Sequence, residues 1–146
     1  MAYEGEIRND RKWNGKGYDI NGNIIYKLIN GNGKVKEYYY NDNLEFEGEY
    51  LNGKRNGKGK EYAEYGGKCV ELEYEGEYLN GEKKGKGKEF DFDSGNLIFE
   101  GEYLNGVKNG NGKKYFYCFL EFEGEYLNGK NGTVRVMIPN KLFHMN

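Results

Sequence analysis

The residue types that most often perform catalysis are scarce in this sequence. It contains one histidine, one serine, one threonine and two cysteines, namely His144, Ser94, Thr133, Cys69 and Cys118. A serine or cysteine nucleophile needs a histidine or another base beside it, and no activating context surrounds these residues. The two distant cysteines and one histidine also lack the clustered spacing of a zinc site. We therefore predict no catalytic residue, no metal site and no cofactor.

Paired carboxylates are the second candidate for chemistry. Two glutamates flank a glycine in each Glu-Gly-Glu motif, as in Glu47-Gly48-Glu49. Such pairs can hydrolyse glycosidic bonds, but here they recur in every full repeat with lysines at matching positions, which favours a solvated ladder of charges. The stretch from Gly48 to Lys54 imitates half of a phosphate-binding loop but lacks the Ser or Thr that would hold Mg²⁺. Neither pattern predicts an enzyme, and we expect no small-molecule substrate.

Composition favours an ordered β-protein over a disordered chain. The 146 residues are 32% charged, with a mean hydropathy of −1.01, and these values alone are typical of disorder. However, aromatic residues make up 16% of the chain, and 24 glycines accompany a single proline. This combination is typical of short strands joined by tight turns. The net charge of −2 lacks the basic excess of nucleic-acid-binding proteins, so no nucleic-acid partner is expected.

The sequence also gives an expectation for location. It contains no apolar run of about 18 residues, the length that a membrane-spanning helix needs, and residues 1–6 show no secretory signal pattern. Two isolated cysteines favour free thiols in a reducing compartment. We expect a cytoplasmic protein, with association with the cytoskeleton or a membrane as the wider alternative.

Internal repetition is the dominant feature of the sequence. The octapeptide aromatic-Glu-Gly-Glu-Tyr-Leu-Asn-Gly occupies residues 46–53, 74–81, 99–106 and 122–129, and a Gly-x-Gly pair follows each of the first three copies. A degenerate copy begins at Tyr3 and an eroded one covers residues 25–31, while the last copy is truncated. The chain therefore holds about six repeats, and atypical copies near the ends are usual in a repeat array.

Alternation with a period of two predicts that each repeat is a β-hairpin. In residues 46–50 the aromatic rings and the glycine share one strand face, and the glutamates take the other. We predict a register that sets Gly48 opposite Gly59, with the glycines as seats for aromatic rings. The same register gives the pairs Glu47–Lys60, Glu49–Lys58 and Tyr50–Gly57, and the equivalent pairs Glu75–Lys88, Glu77–Lys86 and Glu100–Lys113. The predicted fold is an all-β, single-layer, curved antiparallel meander of repeated hairpins.

The octapeptide followed by the Gly-x-Gly element resembles the MORN repeat (membrane occupation and recognition nexus). The resemblance covers roughly residues 2–138. It implies an elongated, curved antiparallel sheet with one hairpin per repeat and a groove on one face. It also implies roles in scaffolding, in protein–protein contact and in binding acidic phospholipids. We accordingly divide the chain into a MORN-like repeat sheet, residues 1–138, with its second repeat eroded and its last truncated, and a C-terminal tail, residues 139–146.

The aromatic face of such a sheet is the predicted binding surface. Stable domains usually pack two layers, so we expect a partner segment, a second copy of the chain or the chain's own C-terminal residues 134–143 to cover this face. The groove residues are predicted to be Phe46, Tyr50, Tyr74, Tyr78, Phe99, Tyr103, Phe122 and Tyr126. The leading prediction is a non-catalytic protein-interaction scaffold, for which a homodimer is one form.

Basic residues at the hairpin turns indicate a second possible function. Stacked repeats would align them along one edge of the sheet. This basic rim consists of Lys54, Arg55, Lys83, Lys84, Lys108 and Lys130. Such charges can simply keep sheet edges soluble, or they can attract anionic lipid or an acidic partner. The alternative is therefore a peripheral membrane adaptor that binds acidic phospholipids.

Overall fold

The computed structural model describes residues 2–67 and 69–131, without the side chains of Cys69 and Asn131. Every regular element in these ranges is a β-strand. The strands are β1 (Ala2–Arg8), β2 (Arg11–Tyr18), β3 (Ile24–Leu28), β4 (Gly33–Tyr38), β5 (Leu44–Leu51), β6 (Lys54–Tyr65), β7 (Cys69–Leu79), β8 (Glu82–Phe90), β9 (Leu97–Leu104), β10 (Val107–Phe116), β11 (Phe119–Leu127) and β12 (Lys130–Asn131). The predicted tail 139–146, the end of the repeat sheet at 138 and the C-terminal cover at 134–143 lie outside the described residues, as do Thr133 and His144.

The strands form an antiparallel meander in which each pairs with its neighbours in sequence. Hydrogen bonding divides it into a three-stranded sheet, β1–β3, and a nine-stranded sheet, β4–β12. One isolated bridge, Ile29 with Asn32, joins the two. The break falls in the eroded second repeat, where buried Leu28 and Val35 form an aliphatic core. The predicted all-β antiparallel meander is confirmed, and its ribbon is interrupted at this one place in the described chain.

Two-residue Asn-Gly turns close the full hairpins and explain the last two residues of each octapeptide. In the β5–β6 turn both central residues have positive φ, 51° at Asn52 and 75° at Gly53. This is the backbone of a type I′ turn, whose twist matches that of the flanking strands, and asparagine and glycine tolerate it best. The same turn recurs between β7 and β8, β9 and β10, and β11 and β12.

Backbone hydrogen bonds link each turn to the preceding repeat. The turn glycine donates its N–H to a carbonyl one repeat earlier, as Gly81 does to Arg55 at 2.8 Å. In several repeats an asparagine side chain of the preceding repeat accepts the adjacent turn N–H. These contacts are Asn52 N to Asn32 Oδ1 (3.0 Å), Asn80 N to Asn56 Oδ1 (3.4 Å) and Asn128 N to Asn109 Oδ1 (3.3 Å). The turns therefore form one hydrogen-bonded edge, which we name the turn edge.

One repeat lacks this asparagine, so its turn N–H has no such acceptor. This difference allows a prediction about stability. Lys84 stands where the neighbouring repeats carry Asn56 and Asn109. We expect Lys84→Asn to raise the free energy of unfolding by about 0.5–1 kcal/mol, because it supplies an acceptor for the Asn105 N–H. Urea denaturation followed by circular dichroism measures the change. Lys84→Ala removes the lysine without adding an acceptor, so an equal gain in that variant would contradict the explanation.

The predicted register holds at the glycines. Gly48 lies opposite Gly59 and Glu47 opposite Lys60. The same pattern pairs Gly76 with Gly87 in the next hairpin. The predicted pairs Glu75–Lys88 and Glu100–Lys113 are also confirmed.

Nearer the turn the predicted register is wrong, because a β-bulge intervenes. Tyr50 pairs with Arg55, and the predicted pairs Tyr50–Gly57 and Glu49–Lys58 do not form within the hairpin. Between the Gly48–Gly59 and Tyr50–Arg55 pairs, β5 has one residue and β6 has three, and Gly57 at the centre of those three has φ 87°. The predicted Glu77–Lys86 pair is lost to an equivalent bulge. Lys58 pairs instead with Glu77, across the boundary between repeats.

Aromatic rings seated on glycines form the core. A Cβ atom on Gly87 would lie 2.5 Å from the Tyr74 hydroxyl, and one on Gly112 would lie 2.7 Å from the Phe99 ring. Neither glycine needs positive φ, so close approach of the ring is the reason for glycine here. The predicted role of these glycines as ring seats is confirmed. The glycine row runs across seven neighbouring strands: Gly48, Gly59, Gly76, Gly87, Gly101, Gly112 and Gly124.

Candidate functional site

The eight aromatic residues predicted to line a groove form a buried row instead. Seven of them are at most 8% exposed, and Tyr50 is half-buried. Their rings pack mainly edge to face, with centroids 5.1–6.4 Å apart, in a chain that runs from Tyr50 to Phe122. The prediction that these rings form the lining of an open groove does not match this burial. Partner binding through them stays a prediction, and it would require the row to open.

Three residues of the predicted basic rim cover this ring row. The Arg55 guanidinium lies 4.1 Å from the Phe46 ring centroid, the Lys83 ammonium 4.0 Å from that of Tyr74, and the Lys108 ammonium 4.2 Å from that of Phe99. Each such cation–π contact contributes about 0.5–1 kcal/mol or more when partly desolvated. The face therefore carries a cover made by the chain itself.

Glutamates complete the cover by pairing with the same cations. Arg55 bridges Glu37 at 2.6 Å and Glu61 at 2.9 Å. Lys83 pairs with Glu61 at 2.8 Å, and an equivalent pair joins Lys108 and Glu89 at 2.9 Å. These three cations are engaged with the ring row and its glutamates. The rim that remains consists of Lys54, Lys84 and Lys130, which make no ion pair within the described chain.

The Glu37 carboxylate gives the cover a pH dependence. Burial alone would raise its pKa, but hydrogen bonds from Arg55 and Tyr50 outweigh burial and hold the pKa of Glu37 below its usual value. A carboxyl whose pKa is lower in the folded state stabilises the fold above its unfolded pKa, about 4.3, and loses that contribution as pH falls through its folded pKa.

We therefore expect the free energy of unfolding to decline below about pH 4.5, and Glu37→Gln to remove part of that decline. Urea titrations at several pH values measure it. Glu71→Gln, on the exposed side of β7, is the matched control. If both variants kept the wild-type pH profile, the Glu37 contribution would be refuted.

A groove lies on the opposite face of the sheet. Two adjoining depressions of about 610 and 630 Å³ share Glu75 and Lys86 and together extend from β4 to β11. Glutamates and lysines line the groove, and the glycine row contributes its floor. A Cβ atom on these glycines would point to the ring face, so the groove floor is bare backbone that a ligand can approach closely. We name this feature the charged groove.

Strand pairing gives the charged groove an alternating pattern. The row nearest the glycines reads Lys36, Glu47, Lys60, Glu75, Lys88, Glu100, Lys113, Glu123 from β4 to β11. A second row on the same face pairs Lys34 with Glu49, Lys58 with Glu77, and Lys86 with Glu102 across neighbouring strands. Asn111 breaks the pattern opposite Glu125. Each strand thus carries charges of one sign, and the sign changes from strand to strand.

Most groove glutamates are already hydrogen-bonded to neutral donors. Three of them accept the backbone N–H of a bulge residue, for example Glu49 from Lys58 at 2.9 Å. The others are Glu77 from Lys86 (3.3 Å) and Glu102 from Asn111 (2.5 Å). Tyrosine hydroxyls donate to Glu47 at 2.6 Å and to Glu100 at 2.8 Å. The second glutamate of the Glu-Gly-Glu motif therefore fixes the bulge.

The repeats match a known family. A family model described as the MORN repeat matches residues 46–64, 74–95 and 99–117. These ranges contain the three octapeptides that are followed by a Gly-x-Gly pair. The chain is a MORN-repeat protein. Comparison with curated proteins gave no significant match. MORN repeats are a non-enzymatic repeat family associated with protein and membrane interactions.

The described part of this MORN-repeat chain offers binding more readily than chemistry. No group of three or more His, Cys, Asp or Glu side chains in it has the arrangement of a metal site. The Ser94 hydroxyl donates to Asp91 at 2.7 Å inside the β8–β9 turn, which is a structural role. No helix among the described residues is long and apolar enough to span a membrane. The arrangement can present charges to an extended ligand.

Two features of the MORN sheet were not predicted from the sequence. The first is the charged face: the Glu and Lys residues were expected to form a solvated ladder, although their alternation opposite the rings was a signal for it. The second is the β10–β11 turn, where Phe116, Tyr117 and Phe119 are 62%, 75% and 78% exposed beside exposed Cys118. The signal there is an apolar turn in a series of polar ones.

Proposed function

We propose that this MORN-repeat protein is a non-catalytic scaffold that holds an extended segment of a partner protein in the charged groove. The groove across eight strands, with glycine at its floor, is the observation that carries the proposal. Seven strand spacings of about 4.8 Å give it a length of about 34 Å. That length accommodates about ten residues of extended chain.

The shape and charge of the groove favour a polypeptide over the other ligand classes. A small molecule would contact only a fraction of so long and open a depression. A membrane surface is flat on this scale and cannot enter it. An extended polypeptide can follow the groove and offer side chains to successive strands.

Site-specific photo-cross-linking tests the proposal. A photoreactive amino acid replaces Lys58 or Lys86 in the groove, and Lys84 at the turn edge serves as the matched control. We expect a partner protein to be cross-linked from the two groove positions and not from Lys84, with mass spectrometry mapping one contiguous segment. Equal labelling from all three positions would contradict groove binding. Cross-links to a second copy of the chain, with a dimeric mass in light scattering, would assign the groove to self-association.

The remaining rim lysines carry the second candidate, binding of acidic phospholipid. Lys54, Lys84 and Lys130 lie at the turn edge, and each can contribute about 1 kcal/mol near an anionic surface. Three lysines would give weak, salt-sensitive co-sedimentation with phosphatidylserine vesicles. Changing all three to glutamate should abolish it, while Lys58→Glu should not. Absence of sedimentation at low salt would end this candidate. The cytoplasmic location expected from the sequence stays a prediction.

A further inference from the structure

The lysines are the available charges of the groove. Five groove glutamates accept hydrogen bonds from neutral donors within the chain. In contrast, the groove lysines of the described chain make one ion pair, between Lys113 and Glu123 at 3.7 Å. Lys58, Lys86 and Lys88 are exposed. A ligand entering the groove therefore meets ammonium groups that mostly lack an ion-pair partner, and acidic side chains of a ligand can pair with them.

The spacing of the lysines selects a backbone conformation. They lie on every second strand, so ammonium groups recur at about 9.6 Å along the groove. A polyproline II helix presents the same face every three residues, or about 9.3 Å. An α-helix presents nearly the same face every seven residues, or about 10.5 Å. Four lysine-bearing strands span three such intervals. Over that length the polyproline II repeat falls out of step with the lysine spacing by about 1 Å, whereas the helical repeat falls out of step by nearly 3 Å.

We propose that the groove binds an acidic segment in the polyproline II conformation, with an acidic side chain at every third residue. This rests on the proposed function, since it specifies the segment that the groove holds. The intervening residues contact the glycine floor and four leucines that alternation places on the same face beside the turns. These leucines, each at least 40% exposed, are Leu51, Leu79, Leu104 and Leu127.

The alternating glutamates argue against a continuous polyanion. A nucleic acid carries a phosphate at every nucleotide, so its charges would also fall over the strands that bear Glu47, Glu75 and Glu100. Phosphates and glutamates placed side by side would repel each other, and this repulsion would lower the affinity for nucleic acid. A peptide with neutral residues between its acidic positions avoids that repulsion. The glutamates thus restrict the ligand to spaced negative charge.

Fluorescence anisotropy with synthetic peptides tests this ligand. The probe is a labelled peptide of about five Glu-Pro-Pro units, titrated with the full chain at low salt. We expect binding that weakens as salt rises. A peptide of the same composition with its glutamates in one block should bind at least tenfold more weakly, and a peptide of Lys-Pro-Pro units should not bind. Equal binding of the blocked peptide, the basic peptide or a single-stranded RNA would overturn the proposal.

Groove variants locate the binding. Lys58→Gln combined with Lys86→Gln should weaken the Glu-Pro-Pro peptide about tenfold or more, because both ammonium groups face the groove. Lys54→Gln combined with Lys84→Gln removes the same charge from the turn edge and should leave binding unchanged. Equal losses in the two double variants would refute a groove site. Circular dichroism verifies that both variants are folded.

The two proposals fail in different ways. If photo-cross-linking from Lys58 and Lys86 captures a partner segment that lacks spaced acidic residues, the ligand proposal is wrong and the scaffold function stands. If no groove cross-link forms with any partner, the scaffold function fails. Peptide binding that survives loss of the groove lysines counts against both.

Discussion

Phe46→Ala is expected to lower the free energy of unfolding by about 3–5 kcal/mol. The Phe46 side chain is 0% exposed, and its ring is enclosed by the tyrosine rings of two repeats, the Arg55 guanidinium and the glycine row. Truncation removes all of these contacts and leaves a cavity, since the flanking backbone of Gly48 and Gly59 has no side chains to fill it. The loss is a large fraction of the stability of a typical domain, about 5–15 kcal/mol.

Urea denaturation measures the overall effect, and hydrogen exchange locates it. Because each repeat contacts only its neighbours, exchange should increase mainly in β5, β6 and β7. The control is Phe119→Ala, which removes a ring that is 78% exposed and should change stability by less than about 0.5 kcal/mol. Similar losses in the two variants would show that the ring row does not hold the repeats together.

Gly101→Ala is expected to destabilise the protein by about 1–3 kcal/mol through steric overlap. A Cβ atom there would lie 2.6 Å from both the Asn111 carbonyl oxygen and the Gly112 Cα, and 2.7 Å from the Phe99 ring. Two of these neighbours are backbone atoms of the paired strand, so relief requires the strands to separate. The φ angle of Gly101 is not positive, and conformational strain therefore contributes nothing to the prediction.

Gly124→Ala is the matched control for this substitution. It occupies the same row, but its nearest neighbour is the tip of the Phe122 ring at 3.0 Å, followed by ring atoms at 3.6 Å. A ring tip can move by a few tenths of an ångström, so the loss should stay below about 1 kcal/mol. Thermal unfolding of both variants provides the comparison. An equal or larger loss at Gly124 would show that close approach of strand backbones is not the reason for glycine in this row.

The sequence by itself determined the hairpin repeats, the register at the glycines and the seating of rings upon them. The reason is that these features are local. Period-two alternation assigns neighbouring residues to opposite faces, and recurrence of the same octapeptide makes chance agreement improbable. The inner charge pair, Glu47 with Lys60, followed directly from that register.

Only the tertiary structure decided which face is left open and which basic residues lie outside the ring cover. The bulge around Gly57 adds two residues to β6, so that Arg55 pairs with Tyr50 on the ring face and covers Phe46, while Lys54 stays outside the cover. Neighbouring repeats then supply Glu37 and Glu61 to pair with Arg55. These contacts join residues of different repeats, and side chains from both neighbours close the ring face and leave the charged face open. A sequence pattern fixes alternation within a strand, but the packing between strands selects the open face.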